Sequence, residues 1–100
     1  MTTKEFVTKQ LEKNKSFLFS QFGIVQIGIF GSVSAGTDSV ESDIDLLYVL
    51  DDHQKLGFLQ YDELEDYIKS ILNHRKIDLV DKARLNPVFQ AQILGSVQYV

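Results

Sequence analysis

Apolar positions change their period along the chain, and each change marks an element. Phe6, Val7, Leu11, Phe17 and Leu18 recur at helical spacing. Ahead of them Thr2-Thr3-Lys4-Glu5 offers a capping box, Thr2 to Glu5. Gly23 is the expected stop, since glycine takes the left-handed backbone of a helix end without strain. Ile24 to Phe30 reads as a first strand, Ser32 to about Thr37 as a helical turn, and Asp38 to Ser42 as a polar loop. Ile44 to Leu50 is the second strand. Asp51 or Asp52 is placed to cap a helix to about Asn73, with Leu64, Ile68, Ile71 and Leu72 inward and Gly57 in its first turns. Ile77-Asp78-Leu79-Val80 is a third short strand. Pro87 suits the first turn of a last helix reaching about Leu94, Gly95 ends it, and Val97 to Val100 fits a small edge strand. With no repeat, linker or low-complexity tract, this alternation predicts one domain over residues 1–100, an α/β (α+β) sandwich.

Composition narrows the picture. One hundred residues, 44% apolar with eleven aromatics, suit a single globular core. No apolar run is long enough for a bilayer, and the N-terminus has no signal-peptide pattern, so no membrane association is expected. The absence of cysteine removes disulfide and thiolate–metal readings and fits a reducing cytoplasm. A net charge of −4, with scattered Lys and Arg, disfavours gripping an extended nucleic acid by its phosphates. It leaves room for one nucleotide held through metal.

The chemistry concentrates between Gly31 and Asp45. In Asp43-Ile44-Asp45-Leu46-Leu47-Tyr48-Val49-Leu50, read as a strand, Asp43 and Asp45 share a face roughly 6–7 Å apart. Two such charges repel by about 2–3 kcal/mol at an effective dielectric near 20. A proton or a cation between them relieves this, and the cation is the better reading. Asp78, between Ile77 and Leu79, is a third carboxylate that is costly to bury unpaired. If its strand lies beside the Asp43–Asp45 strand, three carboxylates converge. Oxygen-only ligands suit Mg²⁺ or Mn²⁺ rather than Zn²⁺, and two such ions can bridge the attacking oxygen, the phosphorus and the leaving pyrophosphate. Gly31 lets the backbone approach a phosphate, and Ser32 adds a hydroxyl and an amide at a helix N-terminus. Gly31-Ser32-Val33-Ser34-Ala35-Gly36-Thr37 is no P-loop, because the Gly-Lys-Ser/Thr ending is missing.

Taken singly, these residues have plainer readings. Ser32 alone is an ordinary N-cap, an Asp-x-Asp alone a solvated strand edge, and Asp78 alone a partner for Arg75, Lys76 or Arg84. The spaced ensemble favours metal and nucleotide. His53 and His74 read as solvated, and Phe17, Phe22, Phe58, Tyr61 and Tyr67 as core or interface. Asp38, Glu41, Asp51 and Asp52 read as loop and cap charges.

Ile29-Phe30-Gly31-Ser32, Ser42-Asp43-Ile44-Asp45-Leu46-Leu47 and Ile77-Asp78-Leu79-Val80 together resemble the signature of the DNA polymerase beta-like nucleotidyltransferase superfamily. The ending from Leu85-Asn86-Pro87 to Tyr99 is similar to its minimal nucleotidyltransferase (MNT) branch, and the likeness spans roughly Phe17 to Tyr99. The resemblance implies the nucleotidyltransferase fold, a short mixed β-sheet flanked by helices, with the triphosphate over Gly31 and Ser32. It implies two Mg²⁺ ions on Asp43, Asp45 and Asp78, with Asp78 activating the acceptor hydroxyl. The implied reaction moves AMP from ATP to a hydroxyl and releases pyrophosphate. It further implies an antitoxin of a toxin–antitoxin system that AMPylates a HEPN-type toxin, on a tyrosine, within a hetero-oligomer. One position departs from the pattern: Ala35 stands where the branch carries Arg, removing a phosphate-facing cation. That departure keeps open an antitoxin that neutralises its partner by binding alone. Transfer to RNA or a small molecule is a more distant alternative, because the expected chain has no acceptor domain and the acceptor would come from another protein.

Overall fold

The computed structural model describes residues 1–52 and 54–100. The expected solvation of His53 therefore lies outside the described residues. The first helix, α1 (Thr3–Phe22), starts where its capping box places it: Thr2 Oγ1 accepts from the Glu5 amide at 3.1 Å, and the Glu5 carboxylate accepts from the Thr2 amide at 3.2 Å. It stops at Gly23, whose φ of 73° is left-handed.

The chain continues through β1 (Ile24–Phe30), the short helix α2 (Gly31–Ala35), β2 (Ile44–Leu50), α3 (Phe58–Ile71), β3 (Ile77–Asp81), a 3₁₀ turn at Lys82–Arg84, α4 (Pro87–Ile93) and β4 (Gln98–Tyr99). The four strands form one sheet in the order β3-β2-β1-β4. β1 runs antiparallel to β2 and β4, while β2 and β3 are parallel and joined by the α3 crossover. The expected α/β class with a short mixed sheet and flanking helices is thus observed.

Alternation along the strands sends Ile27 and Ile29 of β1, Ile44, Leu46 and Tyr48 of β2, and Leu79 of β3 into one core. Val7, Leu11, Leu18 and Phe22 of α1, with Leu64 and Ile68 of α3, meet them there. Phe17 stays exposed and stacks on Tyr67, with centroids 4.4 Å apart. Asp45 lies on the other face of β2. On that face, a Cβ at Gly28 would come within 2.6 Å of Val97, so the C-terminal segment lies directly over β1.

The long helix differs from its expected bounds. It begins at Phe58 rather than after Asp51 or Asp52, because Leu56 must first reach the core and Gly57 is extended at φ −72° and ψ 173°. Gln60 Oε1 accepts from the Gly57 amide at 3.1 Å, and Asp51 instead sits in a turn where its carboxylate accepts from the Asp52 amide. The other end falls at Ile71, and Asn73 and His74 take left-handed φ values of 57° and 58°.

Leu11 is fully buried between α1 and the sheet. Leu11→Ala should therefore destabilise the chain by about 3 kcal/mol, within the range for large-to-small core changes, measured by urea unfolding.

Candidate active site

Two of the three expected carboxylates are brought together by backbone pairing. Asp45 and Asp78 are direct partners across the parallel β2–β3 ladder, so their side chains share a face on strands about 4.8 Å apart. Asp45 is half-buried. Its carboxyl is raised above the ordinary aspartate range, first by burial, then by the Asp78 charge and then by Asp43.

Asp78 corrects an expectation. It lies inside β3 as expected, but the cost of burying it does not arise, because it is exposed on an edge strand that has β2 on one side only. Its plain partners are also engaged elsewhere or apart. Arg84 lies 3.9 Å from Asp81, Arg75 binds backbone carbonyls, and among the described residues Asp78 has no ion pair.

Asp43 departs as well. It is exposed and precedes β2 instead of belonging to it, so the ladder does not set its side chain. Among the described residues, no group of three or more His, Asp or Glu closes into a metal-binding cluster as it stands. The donor set nevertheless fits a hard divalent cation. It is all oxygen, and it holds like charges together in a way that raises Asp45.

Gly31 sits directly against this set. Phe30 is the ladder partner of Asp45, and a Cβ on Gly31 would run into the Asp45 carboxylate, leaving 3.0 Å to Cγ. Its φ of +70° independently favours glycine. Ser32 follows in the first turn of α2, whose leading amides have no partner within the helix. Gly31, Asp45 and Asp78 are thus brought together where β1 ends and β2 begins, on the face of β2 opposite the core, with Ser32 next in the chain. A cavity of about 640 Å³, lined by Leu50, Asp51, Asp81, Arg84 and Gln90, lies instead at the far ends of β2 and β3.

Sequence reasoning missed the hold on the loop before Asp43. Arg75 Nη2 donates to the carbonyls of Ser42 at 2.9 Å and Ser39 at 3.2 Å, while Arg75 Nη1 lies 3.5 Å from Thr3 Oγ1. Backbone carbonyls carry no residue identity, so no motif could have signalled it. Near the other flank, Lys4 Nζ donates to the Ser34 carbonyl at 3.0 Å, beside exposed Ala35.

A mixed four-stranded sheet with α1 and α3 packed on one face, and two carboxylates beside a strand-to-helix Gly-Ser turn, define a nucleotidyltransferase-type domain. The family described as "Polymerase beta, Nucleotidyltransferase" matches residues 12–100, and the chain belongs to it. Protein adenylyltransferase MntA of Thermococcus cleftensis is 35% identical over 100 residues, covering 100% of this chain and 98% of that protein. A crystal structure of a toxin–antitoxin with AMP-PNP matches at a TM-score of 0.68 and 26% identity, over 96% of this chain and 70% of that one. A tri-AMPylated Shewanella oneidensis HEPN toxin in complex with MNT antitoxin matches in fold, at a TM-score of 0.66 and 22% identity, over 93% of this chain and 70% of that one. The likeness to minimal nucleotidyltransferases read from the motifs thus holds for both family and fold. No helix among the described residues is long and apolar enough to cross a membrane.

The raised Asp45 carboxyl carries a pH prediction. A carboxyl raised in the fold favours the folded state while protonated, and that contribution is lost as pH climbs through its folded value. Without metal, Asp45→Asn should melt above the wild type at pH 7.5, and the gap should close as pH falls to the ordinary aspartate range near 4. A gap that stays constant between those pH values would contradict the electrostatic origin.

Proposed function

We propose that the chain transfers AMP from ATP to a hydroxyl of a partner protein, a tyrosine of a HEPN-type toxin, and so acts as the antitoxin of the pair in the cytoplasm. The observation that carries this reading is the in-register pair Asp45 and Asp78, set against Gly31 and flanked by Asp43. The adenylyltransferase name of the Thermococcus cleftensis relative and the AMPylated toxin complex support it.

In the proposed arrangement the triphosphate lies along Gly31 and Ser32, where glycine keeps the backbone clear and the α2 amides face the anion. Asp43 and Asp45 would hold two Mg²⁺ ions, and Asp78 would help to hold the catalytic one. When bound, these ions supply charge neutralisation at the phosphates. The acceptor oxygen attacks the α-phosphorus while the bond from that phosphorus to the bridging oxygen of the β-phosphate breaks. AMP becomes esterified to the acceptor and pyrophosphate leaves. Asp78, exposed at the sheet edge, takes the hydroxyl proton. Because Asp43 and Asp78 both face solvent, the acceptor's protein surface can form the other wall of the site.

One observation favours a second reading. Ala35 is exposed and contributes no cation beside the turn, which fits an antitoxin that neutralises by occupying its partner. The two readings part under mutation. With ATP labelled at the α-phosphate, Mg²⁺ and the co-encoded partner, the partner should gain label, and Asp78→Asn should slow labelling by about 100-fold or more, the scale of a lost general base. Asp43→Asn combined with Asp45→Asn should abolish both labelling and protection of cells. Protection that survives that double change identifies the binding antitoxin.

A further inference from the structure

We propose that Arg75 is a positioning residue for Asp43, acting through the backbone of the loop before β2. The inference rests on the metal–nucleotide reading above, and it concerns the one carboxylate that the sheet does not seat. Asp45 and Asp78 are fixed by pairing in the β2–β3 ladder. Asp43 stands outside it, so its carboxylate goes where residues 39–44 carry it.

Those residues are held on both sides by one short segment, Arg75-Lys76. After Asp43, the Ile44 amide donates to the Lys76 carbonyl at 2.9 Å. Before Asp43, Arg75 Nη2 donates to the Ser42 carbonyl at 2.9 Å and reaches back to the Ser39 carbonyl at 3.2 Å. The turn it grips is already closed on itself. The Ser42 amide donates to the Ser39 carbonyl at 3.1 Å, and the Ser39 amide donates to Ser42 Oγ at 2.9 Å. The guanidinium's other arm lies 3.5 Å from Thr3 Oγ1, tying the loop to the start of α1.

Arg75 is half-buried, and among the described residues no carboxylate pairs with it. Its fork is rigid and planar, so it can span two carbonyls and a hydroxyl at fixed angles, which no apolar side chain of similar length can do. Outer-shell groups of this kind set the orientation of metal ligands, and their loss costs about 10–100-fold in metal affinity.

Calorimetric titration with Mn²⁺·AMP-PNP tests this without relying on turnover. Arg75→Met should weaken binding about tenfold. In an Asp43→Asn background, where asparagine keeps one oxygen ligand, the same change should cost less than about twofold, because the two residues act as one unit. Equal affinity of wild type and Arg75→Met overturns the inference, as does a full further tenfold loss in the Asp43→Asn background, which would assign Arg75 a general role in folding. If Arg75→Met does not fold, Arg75→Lys carries the same cycle, since an ammonium cannot reproduce the planar fork; the expected loss is smaller and equally non-additive. A wild type that binds no Mn²⁺·AMP-PNP overturns the metal–nucleotide reading and this inference with it. Binding by the wild type with no difference on mutation removes Arg75 alone.

Discussion

The parallel pairing of β2 with β3 places two carboxylates in register, and much of the candidate site depends on that constraint. Side-by-side residues on neighbouring strands have no freedom to separate along the ladder, so Asp45 and Asp78 share one face whatever their mutual repulsion. The core secures the register from the opposite face. Ile44 and Leu46 on β2 and Leu79 on β3 are buried against the helices. A slip of one residue would turn those side chains outward and the carboxylates inward. Hydrophobic burial on one face thus maintains an electrostatically unfavourable arrangement on the other. The raised carboxyl of Asp45 is the local sign of that tension.

Gly31 belongs to the same constraint. Its neighbour Phe30 pairs with Asp45, so the β1–α2 turn is carried to the carboxylate by antiparallel pairing. Any side chain there would occupy the space of the Asp45 carboxylate. The turn, the first carboxylate and the second are therefore consecutive steps across three elements joined by hydrogen-bonded pairing. Asp43 and Arg75 lie outside that rigid part, in backbone tied by carbonyl contacts.

How much of this was legible in the sequence follows from what each feature depends on. β1 and β2 were readable to the residue, because apolar runs bounded by Gly23, Gly31 and Leu50 coincide with the ladder. The α1 capping box was equally plain, since it is a local exchange of hydrogen bonds between Thr2 and Glu5. The start of α3 was not. Asp51 and Asp52 look like caps, but Leu56 is drawn into the core before the helix can begin, a tertiary demand that no local pattern records. Gly57, read as a weak point inside the helix, is its first boundary. At the site, composition and spacing pointed to the carboxylates but not to their exposure. The apolar neighbours of Asp78 raise the cost of burying it but do not say whether it is buried, and an edge strand leaves that position open to solvent.

The division between seated and tethered carboxylates bears on how such a site can work. Asp45 and Asp78 are seated in the sheet, whereas Asp43 sits on a loop whose anchors are a guanidinium and one backbone amide. Hydrogen bonds of this kind are individually modest, on the order of 1–3 kcal/mol when one partner is charged. A loop held at that level can adjust by small amounts as a charged ligand arrives, while the ladder keeps the other two carboxylates as a fixed reference. Asp43 and Asp78 are both exposed, so the solvent-facing side of this carboxylate group stays accessible from outside the fold.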